Sequence, residues 1–302
     1  MRLANIARLR VGAIICLLFT AGAFVVLSAV GQPAAADLLV RVGLTADEAG
    51  RARAGQAVVR SLPANAATEV AAAGAIRIKG DLERLVVWLK DIEDFRKALG
   101  TENIGAIGRP PSAAEFARGA ILEPETQRRL AACAAAYQTG GDASLGACHD
   151  SQPSQPFQAE FQDMLRRATT LWNLAYPFAK YLETFPQERP PDVDERFYWT
   201  LESGGRQPIT TLHHVVLQRL ADKSLRLADK QFYASRDFDA ALLVGQATPV
   251  PGGGFDLVVG VRARSGRLGG VAARVLRSRI EKELANALAT YLDWMQRNYA
   301  LG

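Results

Sequence analysis

The chain has 302 residues, enough for one large domain or two small ones. Its composition, 49% hydrophobic and 22% charged, is that of a globular protein and argues against long disordered regions. The formal net charge is +5, and Arg2, Arg8 and Arg10 supply three of the 36 basic residues before any acidic residue occurs. Without residues 1–36, 33 basic residues stand against 31 acidic ones, a net charge of +2. This near balance gives no reason to expect a nucleic-acid partner.

The first 36 residues have the organisation of a secretory signal peptide. A basic stretch that ends at Arg10 precedes an uncharged apolar run over 11–31, and residues 34–36 are alanines that match the cleavage pattern of signal peptidase. We expect cleavage after residue 36 and a periplasmic or secreted mature chain, 37–302. The alternative is an uncleaved anchor, because an apolar run of about 20 residues can span a bilayer.

Export bears on the cysteines, since Cys133 and Cys148 are the two that a mature chain would retain. An oxidising compartment favours their pairing, and a disulfide that closes a loop of this size contributes roughly 3 kcal/mol in the chain-entropy model. A metal site that uses both cysteines and His149 is the alternative, but three ligands without a second cluster match zinc spacing poorly. We therefore predict a disulfide, and we expect neither a metal nor a cofactor.

The first third of the chain predicts a hairpin followed by a helix. A strand-like run at 57–60 precedes the alternation of Ile76, Arg77 and Ile78, which indicates a second, half-buried strand. Over 82–99, apolar residues recur at spacings of three and four and Gly100 follows, which predicts a single amphipathic helix. A short strand is expected at 103–109. Helical runs at 124–137, 157–172 and 177–184, separated by proline-rich breaks, then indicate a helical insertion over 112–190 that carries the disulfide.

The last hundred residues predict an antiparallel meander closed by a long helix. Strand-like runs lie at 197–201, 209–220, 225–233, 238–247 and 255–264, and their short connections suit antiparallel neighbours. Apolar residues mostly four apart over 270–299 predict a helix roughly 40 Å long. We infer an α+β fold, in which a curved antiparallel β-sheet grips the long C-terminal helix.

Two blocks carry a resemblance to a known superfamily. Residues 75–81, which lead into the helix at Leu82, and the block 208–299 together resemble the START-like, polyketide-cyclase-like, helix-grip superfamily. The segment 229–235, followed by 238–240, is similar to exported bacterial members of unassigned function, in which a histidine is usual where this chain has Arg236. The resemblance implies a cavity between sheet and C-terminal helix that binds lipids or other apolar molecules. It fixes no set of functional residues.

Several residues in the meander are candidates for ligand contact. His213 and His214 are adjacent and would point to opposite faces of a strand, so one could enter a cavity as an acid or base, or both are structural. Arg262 and Arg264 could hold an anionic group, or they pair with acids such as Asp237 or Asp239, or they lie in solvent. Aromatic residues with a polar tip suit a cavity or a plain core. The candidate ligand residues are Tyr198, Trp199, His214, Tyr233 and Arg262; no catalytic residue is assigned.

Three functions remain open from the sequence. The first is an exported START-like protein that binds an apolar or amphiphilic small molecule under the C-terminal helix. The second is an envelope structural or interaction protein whose cavity is filled by side chains and whose insertion binds another protein. The third is an enzyme of the same fold that uses His214 as acid or base. The basic residues of the last helix, such as Arg277 and Lys282, form either a solvated face or a membrane-surface contact.

Overall fold

The computed structural model describes residues 38–40, 42–64, 67–117, 122–148, 159, 162–168, 176–202, 208–236, 239–268 and 273–299. Over these residues the chain has the predicted α+β fold, built on one curved, eight-stranded antiparallel sheet. The strands are β1 (Val58–Ser61), β2 (Glu69–Ile78), β3 (Asn103–Ile107), β4 (Val193–Glu202), β5 (Ile209–Arg219), β6 (Leu225–Ala234), β7 (Ala240–Pro249) and β8 (Phe255–Arg264). The helices are α1 (Ala46–Arg53), α2 (Leu82–Lys90), α3 (Ile92–Ala98), α4 (Pro124–Gly140), α5 (Tyr176–Thr184) and α6 (Ala273–Tyr299). Short 3₁₀ segments occupy Ala113–Ala117, Gly141–Cys148 and Gly266–Leu268.

The sheet joins the two ends of the chain. Its strand order is β1-β2-β8-β7-β6-β5-β4-β3, so the predicted meander runs from β4 to β8 and the N-terminal hairpin of β1 and β2 adds to its end. Strand β2 pairs with β8 continuously, from Glu69 opposite Arg264 to Ile78 opposite Phe255. Because each strand is extended and its neighbours are antiparallel, this register fixes which side chains share a face.

Both faces of the sheet are covered. One face, called the helix side below, packs α2, α3 and α6 against alternate residues such as Leu257, Val259 and Val261. The opposite face, called the insertion side, packs α1 and the helical segments of 113–184 against residues such as Val244 and Val258. Strands β6 and β8 are buried along their whole length as a result. The apolar alternation of β8 therefore identifies only one of its two buried faces.

Helix α6 crosses the sheet where β2 has a glycine. A Cβ atom at Gly74 would lie 2.8 Å from Leu292 Cδ1 of α6 and 2.8 Å from Val59 Cγ2 of β1. The side chain is therefore absent at a point where the helix and the neighbouring strand approach closely. With 27 residues, α6 is roughly 40 Å long, so it extends well beyond this crossing.

The single helix predicted over 82–99 is wrong, because two helices occupy this stretch. Helix α2 ends before Asp91, whose φ of −104° and ψ of 76° are not helical. The Asp91 carboxylate then caps α3 by accepting a hydrogen bond from the Asp94 N–H at 3.1 Å. A carboxylate at this position satisfies a backbone donor that a helix start leaves unpaired. The apolar spacing continues through the break because both helices bury the same side, where Trp88 lies 5.9 Å from Trp294 of α6 between ring centroids.

The insertion is helical, as predicted. The expected helices at 124–137 and 177–184 correspond to α4 and α5, and residues 162–168 are helical within the run expected at 157–172, of which the remainder lies mostly outside the described residues. Cys133 and Cys148 form the predicted disulfide, with their sulfur atoms 2.14 Å apart. The leader over 1–36 lies outside the described residues, and no helix in the described ranges is long and apolar enough to cross a membrane.

Replacing Gly74 by alanine tests the close approach of α6. We expect the Gly74→Ala variant to lower the free energy of unfolding by about 1–3 kcal/mol, because the new methyl group overpacks Leu292 and Val59. The matched control is Gly50→Ala in α1, where no atom lies within 4 Å of the new Cβ and alanine is favoured in a helix by up to ~1 kcal/mol. Urea denaturation measures both variants. Equal stability of the two proteins would contradict this packing.

Candidate functional site

The two adjacent histidines of β5 lie at the centres of two separate polar clusters. His213 faces the helix side and His214 the insertion side, and their exposed fractions are 1% and 0%. The helix-side cluster consists of Arg96, Tyr198, Thr211, His213, Asp229 and Tyr291. The insertion-side cluster consists of Arg109, Tyr137, Tyr181, Arg189, Glu195 and His214. Strand geometry alone, with successive side chains on opposite faces, accounts for this division.

The helix-side cluster is ordered around His213. Its Nδ1 lies 3.3 Å from Asp229 Oδ1 and its Nε2 lies 2.7 Å from Thr211 Oγ1, while the Tyr198 hydroxyl donates to Asp229 Oδ2 at 2.7 Å. Burial lowers the pKa of His213, and the charge of Asp229 opposes this only in part. The ring is therefore neutral at pH 7. Because a carboxylate only accepts, Nδ1 carries the proton and Nε2 accepts from the Thr211 hydroxyl.

The order Asp229, His213, Thr211 is that of a charge-relay system, yet here the network is closed. Thr211 is 2% exposed, and its Oγ1 lies 2.6 Å from Thr200 Oγ1 as well as near His213. With Thr211 donating to the histidine, Thr200 donates to Thr211, so each hydroxyl has a partner. This arrangement holds the histidine in one orientation and gives the cluster a fixed polar surface within an apolar layer.

Two residues extend this cluster to the helices. The Arg96 guanidinium of α3 lies 5.6 Å from the Tyr198 ring centroid and pairs with Glu202 at 3.2 Å. Tyr291 of α6 is 4% exposed, and its hydroxyl has no hydrogen-bond partner among the described residues. Burial raises the pKa of Tyr291, and the charge of Arg96 partly opposes that rise. A buried hydroxyl without a partner costs about 1–3 kcal/mol of stability. A ligand atom that accepts a hydrogen bond from Tyr291 would remove this cost.

The insertion-side cluster is ordered around His214 and Glu195. His214 Nε2 lies 3.0 Å from Glu195 Oε2, and Nδ1 lies 3.2 Å from the Tyr137 hydroxyl. The Tyr181 hydroxyl donates to the same Glu195 oxygen at 2.6 Å. Burial lowers the pKa of His214 to about 4. Burial alone would raise the pKa of Glu195. Hydrogen bonds from His214 and Tyr181 and the charge of Arg109 outweigh burial and lower this pKa to about 2.

The two arginines of this cluster pair with Glu195, and a buried lysine–aspartate pair lies on the same side of the sheet. Arg109 and Arg189 each place Nη1 2.9 Å from Glu195 Oε1. Lys230, which is 0% exposed, places Nζ 2.8 Å from Asp142 and 3.1 Å from the Leu182 carbonyl, to which it donates. Burial raises the pKa of Asp142, and Lys230 opposes that rise. The Lys230–Asp142 pair fixes the 3₁₀ segment of the disulfide loop on β6.

The structure does not bring the candidate ligand residues of the sequence together. Tyr198 lies on the helix side. The insertion side holds the other four, Trp199, His214, Tyr233 and Arg262, the last through Glu69, which also pairs with Arg167 of the insertion. Trp199 donates to the Glu115 carbonyl at 2.9 Å, and Arg262 pairs with Glu69. Four of the five therefore face away from the space under α6 that the resemblance implies. Their roles as ligand contacts stay predictions without a shared site.

Other expectations concerned charge partners and metals. Arg264 pairs with Asp239 at 3.4 Å, as one alternative predicted, while Asp256 pairs with Arg77 at 2.7 Å. The described part of the chain has no group of three histidine, cysteine, aspartate or glutamate residues able to hold a metal ion. The cysteines of the proposed metal alternative are bonded to each other, and His149 lies outside the described residues.

Sequence reasoning missed the acids and the tyrosine that define the clusters. Asp229 and Glu195 are buried acids, but their strands also carry other charged residues, such as Lys230 in β6 and Arg196 in β4, so charge alone does not single them out in the sequence. A charge in a buried strand needs a partner, and the partner depends on the tertiary structure. Tyr291 lies between Leu288 and Leu292 on the buried side of α6, where nothing in the sequence separates it from ordinary core residues.

The histidines predict how stability depends on pH. The pKa of His214 is about 4 in the folded chain against 6.5 for an ordinary histidine, so the unfolded chain binds more protons between these values. The contribution of His214 to the free energy of unfolding should therefore be fully present above pH 6.5. As the pH drops to 4, the free energy of unfolding should fall by up to about 3 kcal/mol. Urea denaturation from pH 7 to 4 measures this. The His214→Gln variant should show a flatter dependence, and an unchanged slope would contradict the assignment.

No protein-family model matches the chain, and no curated protein matches it either.

Proposed function

We propose that this is an exported START-like protein that holds an apolar or amphiphilic small molecule between the sheet and α6. The observation that carries the proposal is the hydroxyl of Tyr291, which is buried on the helix side and has no partner among the described residues. A bound molecule with a hydrogen-bond acceptor would satisfy this hydroxyl.

The order and pairing of the elements support the resemblance to the superfamily. Strand β2, the helices α2 and α3, the meander β4–β8 and the long helix α6 follow one another as the resemblance implies. Pairing of β2 with β8 completes a sheet against which α6 packs. The hairpin strand β1 and the insertion over 112–190 are additions to this arrangement.

The surroundings of the cluster support an amphiphilic ligand. Apolar residues of the helix side, among them Val215, Leu217 and Leu288, offer a surface on which each Å² of buried apolar area contributes about 25 cal/mol. The Tyr291 hydroxyl and the nearby charge of Arg96 favour a ligand carbonyl or carboxylate at the polar end. The ligand class is therefore a molecule with an extended apolar part and one oxygen acceptor.

Export is part of the proposal. The leader pattern over 1–36 favours it, and the Cys133–Cys148 disulfide is consistent with an oxidising compartment. Contact of the basic residues of α6 with a membrane surface stays a prediction; Arg277 already pairs with Glu281 at 3.0 Å.

The competing function is that of an envelope structural or interaction protein. Burial of β6 and β8 on both faces favours it, because an interior filled by side chains would bury these strands in the same way. The enzyme alternative named His214 as acid or base, but this histidine faces the insertion side, away from α6. A reaction under α6 would need His213 instead, whose two ring nitrogens already have partners.

Native mass spectrometry of protein purified from its own host tests the binding function. We expect a species heavier than the chain by the mass of one small molecule, and the same spectrum shows whether residues 1–36 are absent. The Tyr291→Phe variant should retain less of that molecule, since it removes the proposed polar contact, and it should be at least as stable because it also removes an unsatisfied buried hydroxyl.

The control for this variant is Tyr137→Phe, which removes a hydroxyl on the insertion side. It should retain the molecule as the unaltered protein does. If the protein repeatedly emerges empty, or if both variants lose the molecule equally, the binding proposal fails and the structural function is favoured.

A further inference from the structure

We propose that Arg109 and Arg189 form a second binding site, on the insertion side, for a small oxyanion group, a carboxylate or a phosphate. The site is separate from the space under α6, so it does not depend on the function proposed above.

The two arginines converge on one buried carboxylate. Each Nη1 lies 2.9 Å from Glu195 Oε1, which places the two guanidinium groups within about 6 Å of each other, close enough for like charges to repel. The Glu195 side chain is 4% exposed, whereas the arginine side chains are 42% and 47% exposed. The carboxylate is therefore buried against two arginine side chains that are themselves partly exposed to solvent.

The charges at this position do not balance. Glu195 supplies one negative charge, His214 is neutral at pH 7, and neither arginine has a second acidic partner among the described residues. Lys230 and Asp142 compensate each other nearby. Among the described residues, one positive charge is therefore left over at the partly exposed edge of the cluster, where an anion would be stabilised.

A second carboxylate in the same sheet provides the contrast. Glu69 also pairs with two arginines, Arg262 and Arg167, but Arg167 in addition pairs with Asp163. Two acids thus compensate two arginines there. At Glu195 the corresponding second acid is absent from the described residues, and a bound oxyanion would take its place.

Both guanidinium groups are held in position before any ligand arrives. Arg109 lies over the Phe197 ring at 4.6 Å, and Arg189 donates from Nη2 to the Val193 carbonyl at 3.0 Å. Each guanidinium carries five N–H donors and turns only Nη1 toward Glu195 Oε1, so further N–H groups remain for another acceptor. A planar fork with several donors matches carboxylate and phosphate oxygens, and prior ordering lowers the entropic cost of binding.

Titration of the full chain with inorganic phosphate at constant ionic strength tests the site, followed by NMR of the arginine Nε–H groups. We expect saturable binding with one phosphate per chain, and a parallel titration with acetate distinguishes a carboxylate site from a phosphate site. Constant ionic strength removes the contribution of general screening. Arg109→Gln and Arg189→Gln should each weaken binding by roughly tenfold or more, since each removes charge-assisted hydrogen bonds.

The matched control is Arg128→Gln, which removes an exposed arginine of α4 that pairs with Glu125. It should bind phosphate as the unaltered protein does. Because Arg189 is half exposed, Arg189→Gln decides the matter if Arg109→Gln fails to fold. Absence of saturable binding of either anion, or an equal loss in Arg128→Gln, would overturn the proposal.

Discussion

The pairing of β2 with β8 is the constraint on which the rest of the structure depends. It joins segments far apart in the chain, as the ion pair of Arg77 with Asp256, 179 positions later, illustrates. Contacts of this range must offset a large loss of chain entropy, and the apolar residues of both strands on the helix side supply the compensating burial. Since α6 is the next long element after β8, the same pairing places the helix over β2, where Gly74 leaves room for it.

A sheet covered on both faces explains why the polar groups form two clusters. Adjacent histidines of one strand enter different layers, and each must find partners there because an unpaired buried polar group is costly. Most members do so. Two features of the described residues stand apart, namely the Tyr291 hydroxyl on the helix side and the excess arginine charge at Glu195 on the insertion side. Departures of this kind are concentrated at functional positions in proteins, which is why both proposals begin from them.

Much of the fold was predictable from local patterns, and the site was not. Strand β8 has the bounds that its alternation predicts, because period-two patterning records a buried face directly. The break at Asp91 was missed because α2 and α3 share one continuous apolar face. The faces of Tyr198 and Trp199 were undecidable in a strand buried on both sides. The pairs that define the clusters depend on strand register, including an irregularity between Leu212 and His213, which no local pattern reveals.

The most direct test of this account is native-state hydrogen exchange of the β2 and β8 amides. If one domain is drawn from both ends of the chain, Ala72 and its partner Val261 should exchange equally slowly and only through global unfolding. Their protection should then decrease together as urea is added. Loss of protection in β2 through local opening, while β8 stays protected, would contradict a single cooperative domain and leave α6 without the strand that it crosses.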